Sequence, residues 1–208
     1  MRISDDRYSR DRLRLDLALR LIGHQARTQT IRAWTGLTED RVRKLYRSYL
    51  DLPGRSPCRP RGKSPRQSAF FSRSPQLREE TTLLASLCCL LGVLPHGGGP
   101  LACVPRGVLM CQAFEAYREL VASPHIGFEH LVLLVTALAQ GEELQLQACP
   151  GCGALTVIDR AAPARAHCGH CTAQAPAHGS RATAHRRTAA GNQSSARAGD
   201  GGGHVPRR

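Results

Sequence analysis

No apolar run in this 208-residue chain exceeds 12 residues; the longest, Leu83 to Leu94, stops at Pro95. A membrane-spanning helix needs about 20, so none is expected and no membrane partner follows. The charged segment from Met1 to Arg12 has no apolar stretch behind it, which argues against a signal peptide. Acidic side chains are scarce, 16 against 29 basic, and they form no paired-carboxylate motif suited to acid–base chemistry. The sequence also lacks a Gly-rich phosphate loop of the Walker or dinucleotide type. Gly97-Gly98-Gly99 has no strand before it and no helix motif after it, so it reads as a linker. These absences point away from an enzyme. Lysine is nearly missing: Lys44 and Lys63 stand against 27 arginines. That imbalance fits coding bias as readily as function and carries no weight.

The chain is long enough for one ordinary domain or two small ones. Hydrophobic residues make up 41%, and 20 Gly with 13 Pro leave part of the chain unpacked. A net charge of +13 and a pI near 10.1 favour a polyanionic partner. The charge is unevenly spread. Residues 1–80 carry 19 basic and 9 acidic groups, residues 81–148 carry 2 and 5, and residues 173–208 carry 6 and 1. The middle is thus apolar and slightly acidic, as a core or partner surface would be.

The pattern predicts a mainly α fold: a helical bundle with an N-terminal helix-turn-helix-like unit in residues 1–50 and a small C-terminal zinc-ribbon subdomain, residues 149–172, built on four cysteines. Leu13, Leu17 and Leu21, with Leu15, Leu19 and Ile22, set an apolar stripe on a helix over 11–26. Residues 51–75 hold a basic loop rich in Pro and Gly. Residues 76–148 form the helical core and partner surface, with helices over 76–94, 107–122 and 128–140. Residues 173–208 have no large apolar residue except Val205 and are expected to be a disordered basic tail.

Residues 28–47 fit a helix-turn-helix template. A short helix runs from Thr28 to Thr35, and Gly36 sits where the turn needs positive φ. Thr38 caps the next helix, with Glu39 and Asp40 in its first turn. Val42, Leu45 and Tyr49 face inward with Ile31, Trp34 and Leu37. Arg41, Arg43, Lys44 and Arg47 then point outward as candidate DNA contacts. The plain alternative is a helical hairpin with a solvated charged face. Acidic groups at the start of the second helix weigh against direct base reading, although they can accept from cytosine. The neighbouring loop (Arg55, Arg59, Arg61, Lys63, Arg66) can add phosphate contacts.

Nine cysteines, an odd number, fit a reduced intracellular protein better than a disulfide scaffold. Cys149-Pro-Gly-Cys152 and Cys168-Gly-His-Cys171 form two Cys-x-x-Cys knuckles 15 residues apart. Each knuckle holds one side of a tetrahedron, which predicts one structural Zn2+ with no open position for water. A redox pair and an iron–sulfur cluster are the alternatives. Gly151, Gly153 and Gly169 support the turns, and residues 154–158 read as a strand between the knuckles. The remaining cysteines (Cys58, Cys88, Cys89, Cys103, Cys111) have no arrangement suited to a nucleophile.

The order of features is similar to a known family. Leu21-Ile22-x-x-x-Ala26-Arg27 leads to Thr35-Gly36-Leu37-Thr38. A basic helix with Leu45-Tyr46 follows, then a Gly54-x-Ser56-Pro57 loop with Gly62, then Phe70-Phe71, Ala116-Tyr117 and the paired Cys-x-x-Cys. Over residues 12–172 this resembles FlhC, the C subunit of the bacterial flagellar master transcriptional activator. The resemblance implies a cytoplasmic hetero-oligomer with an FlhD-like subunit. It also implies binding to double-stranded promoter DNA of flagellar operons, help to RNA polymerase in starting transcription, and zinc held by the four cysteines. The segment after Pro65, the Gly97–Gly99 loop and the Arg/Gly-rich tail depart from the family pattern. The alternative is a zinc-stabilised protein-interaction module, a divergent paralogue without sequence-specific DNA binding of its own.

Overall fold

A computed structural model describes residues 3–50, 60, 62–94, 103–161 and 167–174. It is mainly helical. The order is α1 (Ile3–Gly23), α2 (Thr28–Thr35), α3 (Glu39–Leu50), a 3-10 turn (Ser68–Ser72), α4 (Pro75–Leu90), α5 (Cys103–Leu120), α6 (Phe128–Gln140), β1 (Leu144–Ala148), β2 (Leu155–Asp159) and α7 (Gly169–Gln174). Among the described residues no helix is long and apolar enough to cross a membrane. The expected loop at Gly97–Gly99 and the tail from residue 175 onward lie outside the described residues, as does Cys58; residues 173 and 174 belong to α7.

The core forms where α1, α4, α5 and α6 meet. Leu17, Ala18, Leu21 and Ile22 of α1 are buried, as are Leu84, Ala85 and Cys88 of α4. Met110, Phe114 and Tyr117 of α5 and Leu131, Leu134 and Val135 of α6 complete it. Gly107 lets α5 approach α1 closely, because a Cβ there would stand 2.8 Å from a Leu17 methyl. The buried stripe on α1 is narrower than expected: Leu13 is 56% exposed and Leu19 38%. The helix also starts eight residues before the expected Asp11. A charge pair rather than apolar spacing supports that first part, with Arg10 3.0 Å from Asp6.

Local signals set the other boundaries. The helix expected over 76–94 spans Pro75–Leu90, with Ser74 capping its start by accepting the Leu77 N–H at 3.1 Å. It stops because Gly92 takes φ +75° and the chain folds back, with the Val93 N–H donating to the Cys88 carbonyl at 2.8 Å. α5 begins one turn before the expected Gly107 and ends two residues before Ala122. α6 matches its expected span and ends at left-handed Gly141. β1 lies inside the stretch expected to be helical. Its Leu-Gln-Leu-Gln-Ala run alternates with period two and pairs antiparallel with β2, Leu144 opposite Asp159 and Ala148 opposite Leu155. β2 is shifted one residue from the expected 154–158.

Candidate metal centre and basic helix face

The β1–β2 hairpin turns through residues 149–154, so the first Cys-x-x-Cys is the tip of a hairpin. The Cys149 N–H donates to the Ala154 carbonyl at 2.8 Å, and the Gly153 N–H to the Cys149 carbonyl at 2.8 Å. Gly153 needs its φ of +74° to close this turn. Gly151 sits close against the second knuckle: a methyl there would press on Cys171 Sγ at 3.1 Å. The second knuckle opens α7, and Gly169 packs toward α4, where a Cβ would be 3.3 Å from Glu79 Oε1. β2 also rests on α4, with the Val157 N–H 3.5 Å from Thr82 Oγ1.

This folding brings Cys149, Cys152, Cys168 and Cys171 together, with all four sulfurs within 4.8 Å of one another. Cys152 and Cys168 Sγ are 3.5 Å apart. A single ion bound at about 2.3 Å by four thiolates in a tetrahedron sets the sulfurs about 3.8 Å apart. The cluster therefore fits one metal ion. Backbone amides already point at the sulfurs: the Cys168 N–H reaches Cys149 Sγ at 3.3 Å, and the Cys171 N–H reaches Cys168 Sγ at 3.4 Å. The Cys168 amide, then those of Cys152 and Gly151, hold the Cys149 thiol down at about 5. Hydrogen bonding with the Cys152 and Cys168 sulfurs pushes Cys171 up to about 12. Thiols sharing one small volume split in this way, and a cation would replace the shared protons. The other described cysteines stand apart from this group. Burial drives the Cys88 and Cys111 thiols up to about 12, as expected of inert core residues.

The basic candidates sit on α3. Gly36 takes φ +69°, and its N–H closes α2 on the Arg32 carbonyl at 2.9 Å. Leu37 and Thr38 complete the link to α3, and the Thr38 hydroxyl accepts the Arg41 N–H at 3.4 Å. Val42 and Tyr46 form the buried face, with Leu45 and Tyr49 half-buried beside them. Tyr46, which the spacing argument passed over, is 3% exposed and donates its hydroxyl to the Ala26 carbonyl. Arg41, Arg43, Lys44 and Arg47 are all exposed. They are not equivalent. Arg43 reaches Glu39 at 2.5 Å and Asp40 at 3.9 Å, and Glu39 also lies 3.5 Å from Arg32 of α2. Arg41, Lys44 and Arg47 make no ion pair among the described residues.

No family model matches this sequence, and no curated protein matches it.

One polar cluster escaped the sequence reading altogether. Glu80 is 5% exposed on α4, and it accepts from the Tyr117 hydroxyl, from the His125 N–H at 2.9 Å and from His125 Nδ1 at 2.8 Å. Burial works against its charge, but these donors outweigh burial and hold the carboxyl below its ordinary range. A second cluster joins the Arg20 guanidinium and His24 to Glu115, with His24 Nε2 2.8 Å from the carboxylate. Neither is visible in spacing, because the partners lie 37 to 95 residues apart.

Proposed function

We propose that this chain is the DNA-contacting subunit of a transcriptional activator of the FlhC kind. It acts in the cytoplasm with an FlhD-like subunit at flagellar promoters and assists RNA polymerase. The observation that carries the reading is the four-cysteine cluster closing the C-terminal side of a helical body whose N-terminal region displays a short basic helix. The cluster fits one structural Zn2+, held by Cys149, Cys152, Cys168 and Cys171. Four thiolates fill a tetrahedral shell, so the ion supplies a cross-link and no reactive position. That cross-link ties the hairpin tip to α7, a segment too small to hold itself. Arg41, Lys44 and Arg47 are the groups free to meet phosphates or base edges, and α2–turn–α3 is the helix-turn-helix-like unit presenting them.

A second reading draws on Arg43. With Glu39 and Asp40 neutralising it, the leading end of α3 carries no net positive charge. That suits a zinc-stabilised interaction module whose charged face is merely solvated.

One experiment separates them. The chain is co-expressed with an FlhD-like protein from its host, and binding to a flagellar promoter fragment is measured across a salt series. The activator reading expects about 6 to 10 phosphate contacts, hence on the order of 10³–10⁵ loss of affinity between 50 and 200 mM salt. Reversing Arg41, Lys44 and Arg47 to Glu should abolish that binding. A stable complex with flat, weak DNA binding rejects the activator reading in favour of the module.

A further inference from the structure

A cleft of about 650 Å³ lies at the α1–α2 corner, between that corner, the segment around Lys63 and the α5–α6 connection. Neither the cysteine cluster nor the outer face of α3 uses it. Its lining includes Arg27, Lys63, Arg118 and His125, with Glu129 as the one acidic residue among the described residues. Glu129 is already committed: its carboxylate accepts the Arg27 N–H at 2.8 Å and lies 3.9 Å from Arg27 Nε. The exposed side chains of Lys63 and Arg118 have no ion pair or hydrogen bond among the described residues. The cleft is therefore unbalanced toward positive charge.

His125 lines the same cleft, and Glu80 holds it in place. Glu80 is a buried carboxylate whose other donors, the Tyr117 hydroxyl and a backbone amide, are neutral. The His125 ring, its third donor, is half-exposed. The ring is tied to Glu80 through Nδ1 at 2.8 Å, which fixes it where it lines the cleft. The N-terminus of α6, 13 residues long, opens on the same cleft, and its cap Gly127 offers no side chain to the first-turn amides.

We infer that this cleft binds a phosphate group between Lys63 and Arg118, beside the N-terminus of α6. Two separate cationic side chains and a helix N-terminus suit a tetrahedral dianion. A planar carboxylate is matched by the single guanidinium fork of Arg118 and would leave Lys63 idle. The phosphate can belong to a free phosphorylated small molecule or to a DNA backbone, and only the second source rests on the promoter-binding reading. Arg118 also lines a neighbouring cavity of about 610 Å³ walled by Leu45, Ser48 and Tyr49 of α3. A strand lying along α3 would thus pass close to the cleft.

The test uses the full chain, zinc-loaded and with its partner subunit. It is titrated with inorganic pyrophosphate by calorimetry and, separately, with promoter DNA across a salt series. Saturable pyrophosphate binding is expected, weakened at least tenfold in Lys63→Ala/Arg118→Ala. The control pair Arg12→Ala/Arg14→Ala removes the same charge from α1 and should change it less than twofold. If the cleft variant also lowers the DNA salt slope by about two, the phosphate is a backbone one; an unchanged slope assigns the cleft to a free phosphorylated molecule. Absent pyrophosphate binding together with an unchanged slope overturns the inference, and so does an equal loss in both variant pairs. If the unaltered protein fails to bind DNA, the promoter reading falls while the pyrophosphate arm still decides the cleft.

Discussion

Tyr117→Phe removes one oxygen atom and leaves the shape of a fully buried ring intact. That oxygen has two duties: it donates to Glu80, and it accepts the Ile126 N–H at 3.2 Å. A hydrogen bond to a charged group contributes about 1.5–3 kcal/mol, and a buried N–H without a partner costs about 1–3 kcal/mol. The two losses share one site, so the expected total is about 3–5 kcal/mol rather than a strict sum. For a protein with on the order of 5–15 kcal/mol of stability this is severe. Chemical denaturation of the zinc-loaded protein at pH 7 reads it directly. Glu80→Gln supplies the second arm of a double-mutant cycle. If the carboxylate is what the hydroxyl serves, Tyr117→Phe should cost at least about 1 kcal/mol less when Glu80→Gln is already present, as coupled partners do. A cost below about 1 kcal/mol, or strict additivity with Glu80→Gln, refutes the reasoning.

Three further outcomes are expected. Cys168→Ser should lower bound metal from one equivalent to a small fraction by elemental analysis, and hydrogen exchange should quicken in β1, β2 and α7 but not in α5; protection unchanged in the hairpin would show that the ion is not its support. Gly36→Ala should cost about 1 kcal/mol in denaturant, since a Cβ there meets nothing within 4 Å and only the left-handed backbone resists it; a loss above about 3 kcal/mol would contradict this. Burial, ahead of its bond to Glu115, holds His24 below its ordinary 6.5, and burial does the same to His130. The unfolded chain then takes up protons near pH 6.5 that the folded chain refuses, so stability is full above that pH and declines as pH falls below it. His24→Gln should flatten the decline, and an equal or steeper slope in the variant would disprove the assignment.

The parts of this fold written in short-range patterns were legible. Gly36, the Thr28–Thr35 helix and α6 follow from caps and 3.6-residue spacing, and the four cysteines declared their own meeting through knuckle spacing. What depended on distant partners was not. β1 reads as strand only because β2 lies beside it, and five alternating residues are too few to announce themselves. Arg43 looked interchangeable with Arg41 and Lys44, since a periodic argument counts charges on a face without pairing them. The Glu80 cluster is set by a loop that returns His125 to α4, and nothing local in either segment specifies that return.

Arg27 stands at the corner between α1 and α2 and reaches two remote parts of the chain. Its guanidinium donates to the Gly62 and Lys63 carbonyls, while its backbone N–H is taken by Glu129, 102 residues away. Among the described residues, the Arg20 guanidinium is similarly satisfied only by Glu115. Closing such long loops is entropically slow, and the reward comes only when both ends are present. During synthesis, then, the first three helices emerge with their polar corner unfinished and with Leu17, Leu21 and Ile22 still waiting for α5. Their remote polar contacts close only after residue 129 has left the ribosome. The first quarter of the chain thus carries exposed apolar surface through much of translation, whatever its stability once the chain is complete.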